Sequence, residues 1–467
     1  MRMSAQMSMQ TISKCMRVNR RRANALLWTC LLALPGSLFA QGDSSGIRLK
    51  YHGAGWVEFG KVENSYEDLG GEIGDYNKNW LQDGGGQFGV IAKVDSNWEG
   101  AFQLGIMEIE LPRGTAGENG QQTASLWYPF WTPYVSEARV TYSHPVLNHL
   151  GKFQVTLGEF TYNYSPDAKN LGLYLMNGYV YPGALESGFG GLYGGVDASE
   201  FGGLVRYEVG GFHNDILLKT EDERPDYDWS LLNIASYTIR PGLEIGAGVD
   251  FYRLIANNSS ITSPGTMCGG LGYGLGECSY TDTVGGKVDT ITGSLAGTKV
   301  MARFHLDPKA LFGFSKLGPW ILGGKDLTLY GEAAIIGLKN YPIYYDDIWQ
   351  RIPVMMGFDF PAFGYLDYLS AEVEYYGSKN SSDDIGANFG GSWIPDNNQY
   401  VQDYNTRDNW KWSVNLARTL FGHLQFSAQV ADDHLRLGGT HDLPWVGGEV
   451  LRTPDDWYWT CKLAYFF

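Results

Sequence analysis

The sequence predicts an all-β chain closed into a single transmembrane antiparallel β-barrel of about 16 strands, with roughly 14–18 compatible with the pattern. Three observations carry this. Past residue 40 there is no apolar run of about 18 residues, so no further membrane-spanning helix is available. The chain instead breaks into short alternating segments cut by Gly, Pro, Asn and Asp, with 62 Gly, 30 Tyr and 15 Trp among 467 residues. The final segment, DDWYWTCKLAYFF, splits by alternate residues into an apolar face (Trp457, Trp459, Cys461, Leu463, Tyr465, Phe467) and a smaller, more polar one (Tyr458, Thr460, Lys462, Ala464), Phe466 at the tip excepted. A strand apolar along one whole face, with aromatics at both ends, suits lipid between two interfaces. As the edge of a soluble sandwich it would invite aggregation.

The N-terminal region reads as an address. Arg20, Arg21 and Arg22 precede ANALLWTCLLALPGSLFA, which breaks at Pro35-Gly36 and reaches a small residue at Ala40. A secretory signal over residues 1–40 is expected, with residues 41–467 forming the barrel. Its removal takes six basic residues and no acidic ones, so the formal net charge moves from −16 to −22. So acidic a chain is a poor nucleic-acid partner. Of five cysteines, Cys15 and Cys30 leave with the signal. Export favours a disulfide between Cys268 and Cys278, ten residues apart in a Gly-rich stretch, and leaves Cys461 free.

The terminal strand closely resembles that of bacterial outer-membrane β-barrel proteins, which ends in Phe and serves as their assembly signal. The resemblance rests on the last dozen residues, with Phe467, Tyr465 and Leu463 as the signal positions. It implies the outer membrane of a Gram-negative-type envelope, with outer-membrane lipid and the barrel-assembly machinery as partners. Both termini would then lie in the periplasm, which demands an even strand number. Candidate strands fall at 47–60, 86–96, 100–109, 132–144, 152–163, 188–197, 200–213 and 228–240. The second half supplies 242–255, 296–306, 325–337, 351–360, 369–377, 408–418, 422–433 and 456–467. Tight turns such as SNWE, DASE, RPG and TLFG alternate with long connections, and only 307–324 is long on the short side.

Strand alternation sorts the side chains. Phe88, Val90, Val373, Phe426 and Val430 fall on the lipid side. Lys93, Glu137, Arg139, Arg206, Glu208, Lys299, Arg303, Glu372 and Glu374 fall inside, as do Ser370 and Gln425. Charges in a dry core would each cost several kcal/mol unless paired. A barrel of about 16 strands is wide enough for water, so a wet lumen is expected, with a lumen sealed by packed ion pairs as the alternative.

The third long connection reads SPDAKNLGLYLMNGYVYPGALESG. Ser165 as N-cap, Pro166 at the first helical position and Gly178 as terminator predict a short helix near Pro166–Asn177, carrying Leu171, Leu173, Tyr174, Leu175 and Met176. By position it is similar to the third loop of sixteen-stranded porins, which folds into the barrel as a constriction. Its apolar chemistry departs from their carboxylate-bearing loops, and a helix capping the rim is the other reading.

No lipase-type Ser motif or phosphate-binding Gly loop occurs, and GLGYGLG reads as flexible loop. Asp432, Asp433, His434, His441 and Asp442 read as a charged loop tip rather than as catalytic or metal-binding residues. No enzyme activity, cofactor or metal is expected. The resemblance implies a porin-like channel for passive diffusion of small hydrophilic solutes and leaves homo-oligomerisation open. A surface-binding, adhesion or purely structural barrel is the alternative, with Trp229, Trp349, Trp393 and Trp445 as display platforms.

Overall fold

The computed structural model describes residues 46–65, 77–78, 80–110, 132–146, 150–177, 185–189, 198–220, 228–256, 278–284, 287–293, 297–313, 322–339, 347–377, 409–435 and 449–467. The first nine strands are β1 Arg48–Asn64, β2 Trp80–Lys93, β3 Trp98–Glu110, β4 Thr132–Val146, β5 Gly151–Tyr162, β6 Ala198–Val209, β7 Phe212–Thr220, β8 Asp228–Arg240 and β9 Leu243–Ala256. Then come β10 Cys278–Val284, β11 Lys287–Gly293, β12 Gly297–Leu306, β13 Leu329–Ile335, β14 Val354–Asp359, β15 Tyr368–Tyr375, β16 Trp410–Leu420, β17 Leu424–Asp432 and β18 Trp457–Phe466. Sixteen of them close one antiparallel barrel, while β10 and β11 pair only with each other as a separate hairpin.

The two ends of the chain make the seam. β18 pairs with β1 in a register that sets Tyr465 opposite Gly55 and Trp459 opposite Lys61. Phe467 extends the ladder by one residue, exchanging N–H···O=C bonds of 3.0 and 3.1 Å with Gly53. Closure leaves no strand edge unpaired in the sixteen-membered ring, which hydrocarbon requires.

One hairpin falls a strand later than its pattern suggests. β5 pairs directly with β6; most of the predicted strand 188–197, from 190 onward, lies outside the described residues. The predicted strand 200–213 straddles a turn at Gly210-Gly211, where Gly210 has φ +57°, and the region assigned to a long connection contains β7. DASE offers turn-forming residues, but Ala198–Glu200 lie in β6; the Gly-Gly pair supplies the backbone freedom that a tight hairpin needs. The long connection 307–328 on the turn side does occur. It opens with a single-turn helix, α1 Pro308–Leu311, capped by the Asp307 carboxylate on the Lys309 and Ala310 N–H groups.

The outer face is apolar and exposed: Phe88, Leu104, Leu157, Ile245, Val373, Phe426 and Leu463 all face outward with large exposed areas. Aromatic contacts gather at both ends of this band. Trp80 and Trp459 meet at 5.9 Å on the loop side, and Trp98–Tyr142 at 4.9 Å and Tyr465–Phe467 at 6.2 Å on the turn side. A closed barrel with an apolar exterior between aromatic girdles is a surface matched to a bilayer.

Candidate functional site: the barrel interior

Residues 163–177, which leave the end of β5, turn into the barrel. Leu171, Leu173, Tyr174, Leu175 and Met176 are all buried, in one cluster with Leu204 of β6, Leu217 of β7, Leu232 and Ile234 of β8, Met301 of β12 and Met355 of β14. The expected helix is absent. Gly172 and Leu173 have φ of +90° and +55°, which ends any right-handed turn there. A helix would also have consumed the N–H groups that the barrel wall takes instead. Glu372 of β15 accepts from the backbone N–H groups of Lys169, Asn170 and Leu171 at 2.6, 2.9 and 2.9 Å. Glu332 of β13 accepts from those of Leu173 and Tyr174 at 3.1 and 2.9 Å.

Hydroxyls complete both cradles. Tyr330 and Ser413 donate to Glu372, and Tyr164 donates to Glu332. A buried carboxylate is expensive unless its lone pairs are filled, and here backbone dipoles and hydroxyls fill them without a cation. Glu374, two residues along β15, accepts from the Tyr174 hydroxyl at 2.9 Å and faces His434 Nε2 at 2.6 Å.

His434 and Asp433 are not at an exposed loop tip. Both are buried, because residues 185–189 cover them: Ser187 and Leu435 form a bridge, and the Ser187 hydroxyl accepts from the His434 N–H at 2.9 Å. Asp433 accepts from the Asn170 amide and the Tyr458 hydroxyl at 2.7 and 2.8 Å. Burial opposes the His434 charge, but the carboxylates of Glu449 and Glu374 outweigh it and raise the imidazole to about 10. Burial pushes Asp433 up to about 6. Carboxylates hold both imidazole nitrogens of His434, so neither is left for proton transfer or metal ligation. Lys411 of β16 joins the same network, 2.9 Å from Glu449 and 3.1 Å from Asp432.

The opposite wall has a different character. On β1–β4, His52, Trp56, Glu58, Gln87, Gln103, Tyr134, Glu137 and Arg139 face inward and keep partial exposure. Their charges are paired locally: Glu58 with Lys462 of β18 at 3.4 Å, and Arg139 with Glu99 at 3.0 Å and with Glu137. Lys93, at the turn end of β2, is mostly exposed and lies 3.5 Å from Glu99.

Farther round, Arg206 pairs with Asp215 at 2.8 Å, Glu208 lies 3.4 Å from His213, and Arg303 binds Glu244. Lys299 is fully buried, with its ammonium 4.3 Å from the Tyr252 ring centroid. Of the inward residues named from alternation, Glu372 and Glu374 are buried against the inserted segment and Lys299 against Tyr252, while Glu137 and Arg139 on the far wall and Arg206, Glu208 and Arg303 farther round keep partial exposure. Glu332, Asp433 and Glu449 were not singled out as interior residues. Glu332 sits in the short strand β13, and the other two depend on contacts across the fold. Cys268 lies outside the described residues, as does the side chain of Cys278; Cys461 is a free thiol.

No family model matches the chain, and no curated protein matches it. Among solved structures, a mutant of Rh. blastica porin is similar over 90% of this chain and 100% of its own, at 9% identity and a TM-score of 0.41. A triple mutant of Rhodopseudomonas blastica porin covers the same shares at 10% identity and 0.41. The chain is a porin-like β-barrel in form. That statement stands on the strand pairing, to which a likeness this distant adds nothing.

Proposed function

We propose that the protein is an outer-membrane channel that passes small hydrophilic solutes by passive diffusion. The passage is off-centre, between the inserted segment and the wall of β1–β4. One observation carries this reading: His52, Glu58, Gln87, Gln103, Glu137 and Arg139 on β1–β4 keep partial exposure, with Asp83 and Thr141 buried among them, while Glu332, Asp359, Ser370, Glu372, Glu374, Lys411 and Ser413 on β13–β16 are all buried. Water reaches the first set and not the second. Lipid fits the apolar exterior, and the Phe-terminated strand fits delivery by the barrel-assembly machinery after removal of residues 1–40. Leu171–Met176 act as the apolar flank of the constriction.

Single-channel recording of the purified protein in a planar bilayer tests the reading. Discrete, ohmic conductance steps are the expected result. A correctly folded barrel that gives none overturns it in favour of a surface-binding or structural barrel.

A further inference from the structure

The wall of β1–β4 carries three rings laid flat against it, each made possible by a glycine on the neighbouring strand. Trp56 of β1 extends over Gly85 of β2, His52 of β1 over Gly89 of β2, and Tyr134 of β4 over Gly105 of β3. A Cβ added at any of these glycines would collide with the ring it underlies. Any larger residue would tip the ring out into the lumen. The glycines are therefore part of the arrangement and not merely weak strand formers.

Each ring is also pinned at its edge. The Trp56 indole N–H donates to Asp83 at 3.1 Å, and Tyr134 accepts from the Gln87 amide at 2.7 Å. Gln103 donates to Gln87 at 2.6 Å, so its own carbonyl faces His52 Nε2 at 3.0 Å and fixes that nitrogen as a donor. The row runs in one direction, from His52 through Gln103 and Gln87 to Tyr134. It leaves the Tyr134 hydroxyl proton free to donate. Of the charges beside the rings, Glu58 is paired with Lys462, Glu99 and Glu137 share Arg139, and the Asp83 carboxyl that takes the Trp56 N–H is buried; Lys462 also lies 5.6 Å from the Trp56 ring.

Flat ring faces alternating with fixed amides match a ligand that has an apolar ring face and a rim of hydroxyls. Among the lumen-facing charges there, Glu58, Arg139, Glu99 and Glu137 are already engaged in ion pairs. We infer that this wall is a binding platform for neutral sugars, with Trp56 and Tyr134 stacking on the pyranose face and Gln87, Gln103 and the Tyr134 hydroxyl meeting its hydroxyls. The inference rests on the channel reading for its route of access. On the opposite wall the same device serves packing alone: Tyr330 lies over Gly357, but its hydroxyl is spent on Glu372 and the inserted segment covers it.

The test is ion current through the full-length protein in a planar bilayer with maltotriose added, against polyethylene glycol of equal hydrodynamic size. Maltotriose should block saturably and polyethylene glycol only in proportion to its concentration. Trp56→Ala and Tyr134→Ala should each raise the half-blocking concentration by about fivefold, since a ring contact is worth a factor of roughly 2–10. Tyr134→Phe, which keeps the ring and loses only the hydroxyl, should fall between wild type and Tyr134→Ala. Block indistinguishable from polyethylene glycol, or unchanged in both alanine variants, overturns the platform. If the wild type does not conduct, the channel reading fails by itself, and maltotriose titrated calorimetrically into the detergent-solubilised protein still decides the platform. Saturable heat with a Kd raised about fivefold in Trp56→Ala supports it, and no heat in the wild type overturns it.

Discussion

Two walls of this barrel obey the same alternation and end in opposite states. On β13–β16, Tyr330, Glu332, Met355, Asp359, Ser370, Glu372, Glu374, Lys411, Ser413 and Ala417 point inward and are buried along the whole height of the wall. On β1–β4 the inward residues stay half-exposed through the middle. Strand pattern cannot tell the walls apart, since both read polar inside and apolar outside. The inserted segment separates them. Where it lies against the wall, Glu332 and Glu372 take their donors from its backbone and from neighbouring hydroxyls. Where it does not, water and a single counter-ion suffice.

The largest test of that contrast is to remove the segment. Replacing residues 166–177 with a short Gly-Ser link should raise single-channel conductance several-fold and relax discrimination by solute size, while the heat-modifiable folded barrel persists. Unchanged conductance would mean that the segment caps the rim without narrowing the passage.

Glu372→Ala orphans three backbone N–H groups and two hydroxyls in a dry site, and should destabilise the barrel by about 3–5 kcal/mol. Glu137→Ala on the other wall should cost under about 1 kcal/mol. Equal midpoints in urea titration of the two variants would break the comparison.

Arginine placement sharpens it further. At lipid-facing Val373 or Phe426 it should cost about 2–4 kcal/mol. At half-exposed Gln425 it should cost little. Alternation alone would tolerate arginine at Ser370 just as well, but Ser370 is fully buried, so this change should prevent a folded barrel at normal yield. Recovery of Ser370→Arg at wild-type levels of heat-modifiable protein would show that wall to be wet.

The smallest expected effect is pH-dependent. His434 rises from 6.5 to about 10, so the folded state holds its proton more tightly than the unfolded chain. Its contribution is complete below 6.5 and is lost as the pH climbs through about 10. Asp433 rises from 3.8 to about 6, so its own contribution is already lost below the histidine window. Stability measured from pH 7 to 10 should fall less steeply in His434→Gln than in the wild type, by a difference on the order of 1–3 kcal/mol. Parallel curves would place His434 outside the network.

The sequence by itself determined the barrel, because alternation with period two is a local property and every closed strand must satisfy it. Lys93, Glu137, Arg139, Arg206, Glu372 and Glu374 could be assigned to one face from their immediate neighbours alone. It also marked residues 166–177 as too apolar to wave in water. Three things were left to the tertiary structure. The hairpin at Gly210-Gly211 was misplaced by one strand, because in a Gly-rich stretch one short alternating window looks like the next. The segment was read as a helix from its caps, but its N–H groups found carboxylates more than 150 residues away in the chain, on Glu332 and Glu372. Asp433 and His434 read as solvated because nothing near them in sequence reveals that Ser187 and Tyr458 close over them. Whether an inward charge meets water or a backbone dipole depends on which distant segment lies against it, and only the closed fold decides that.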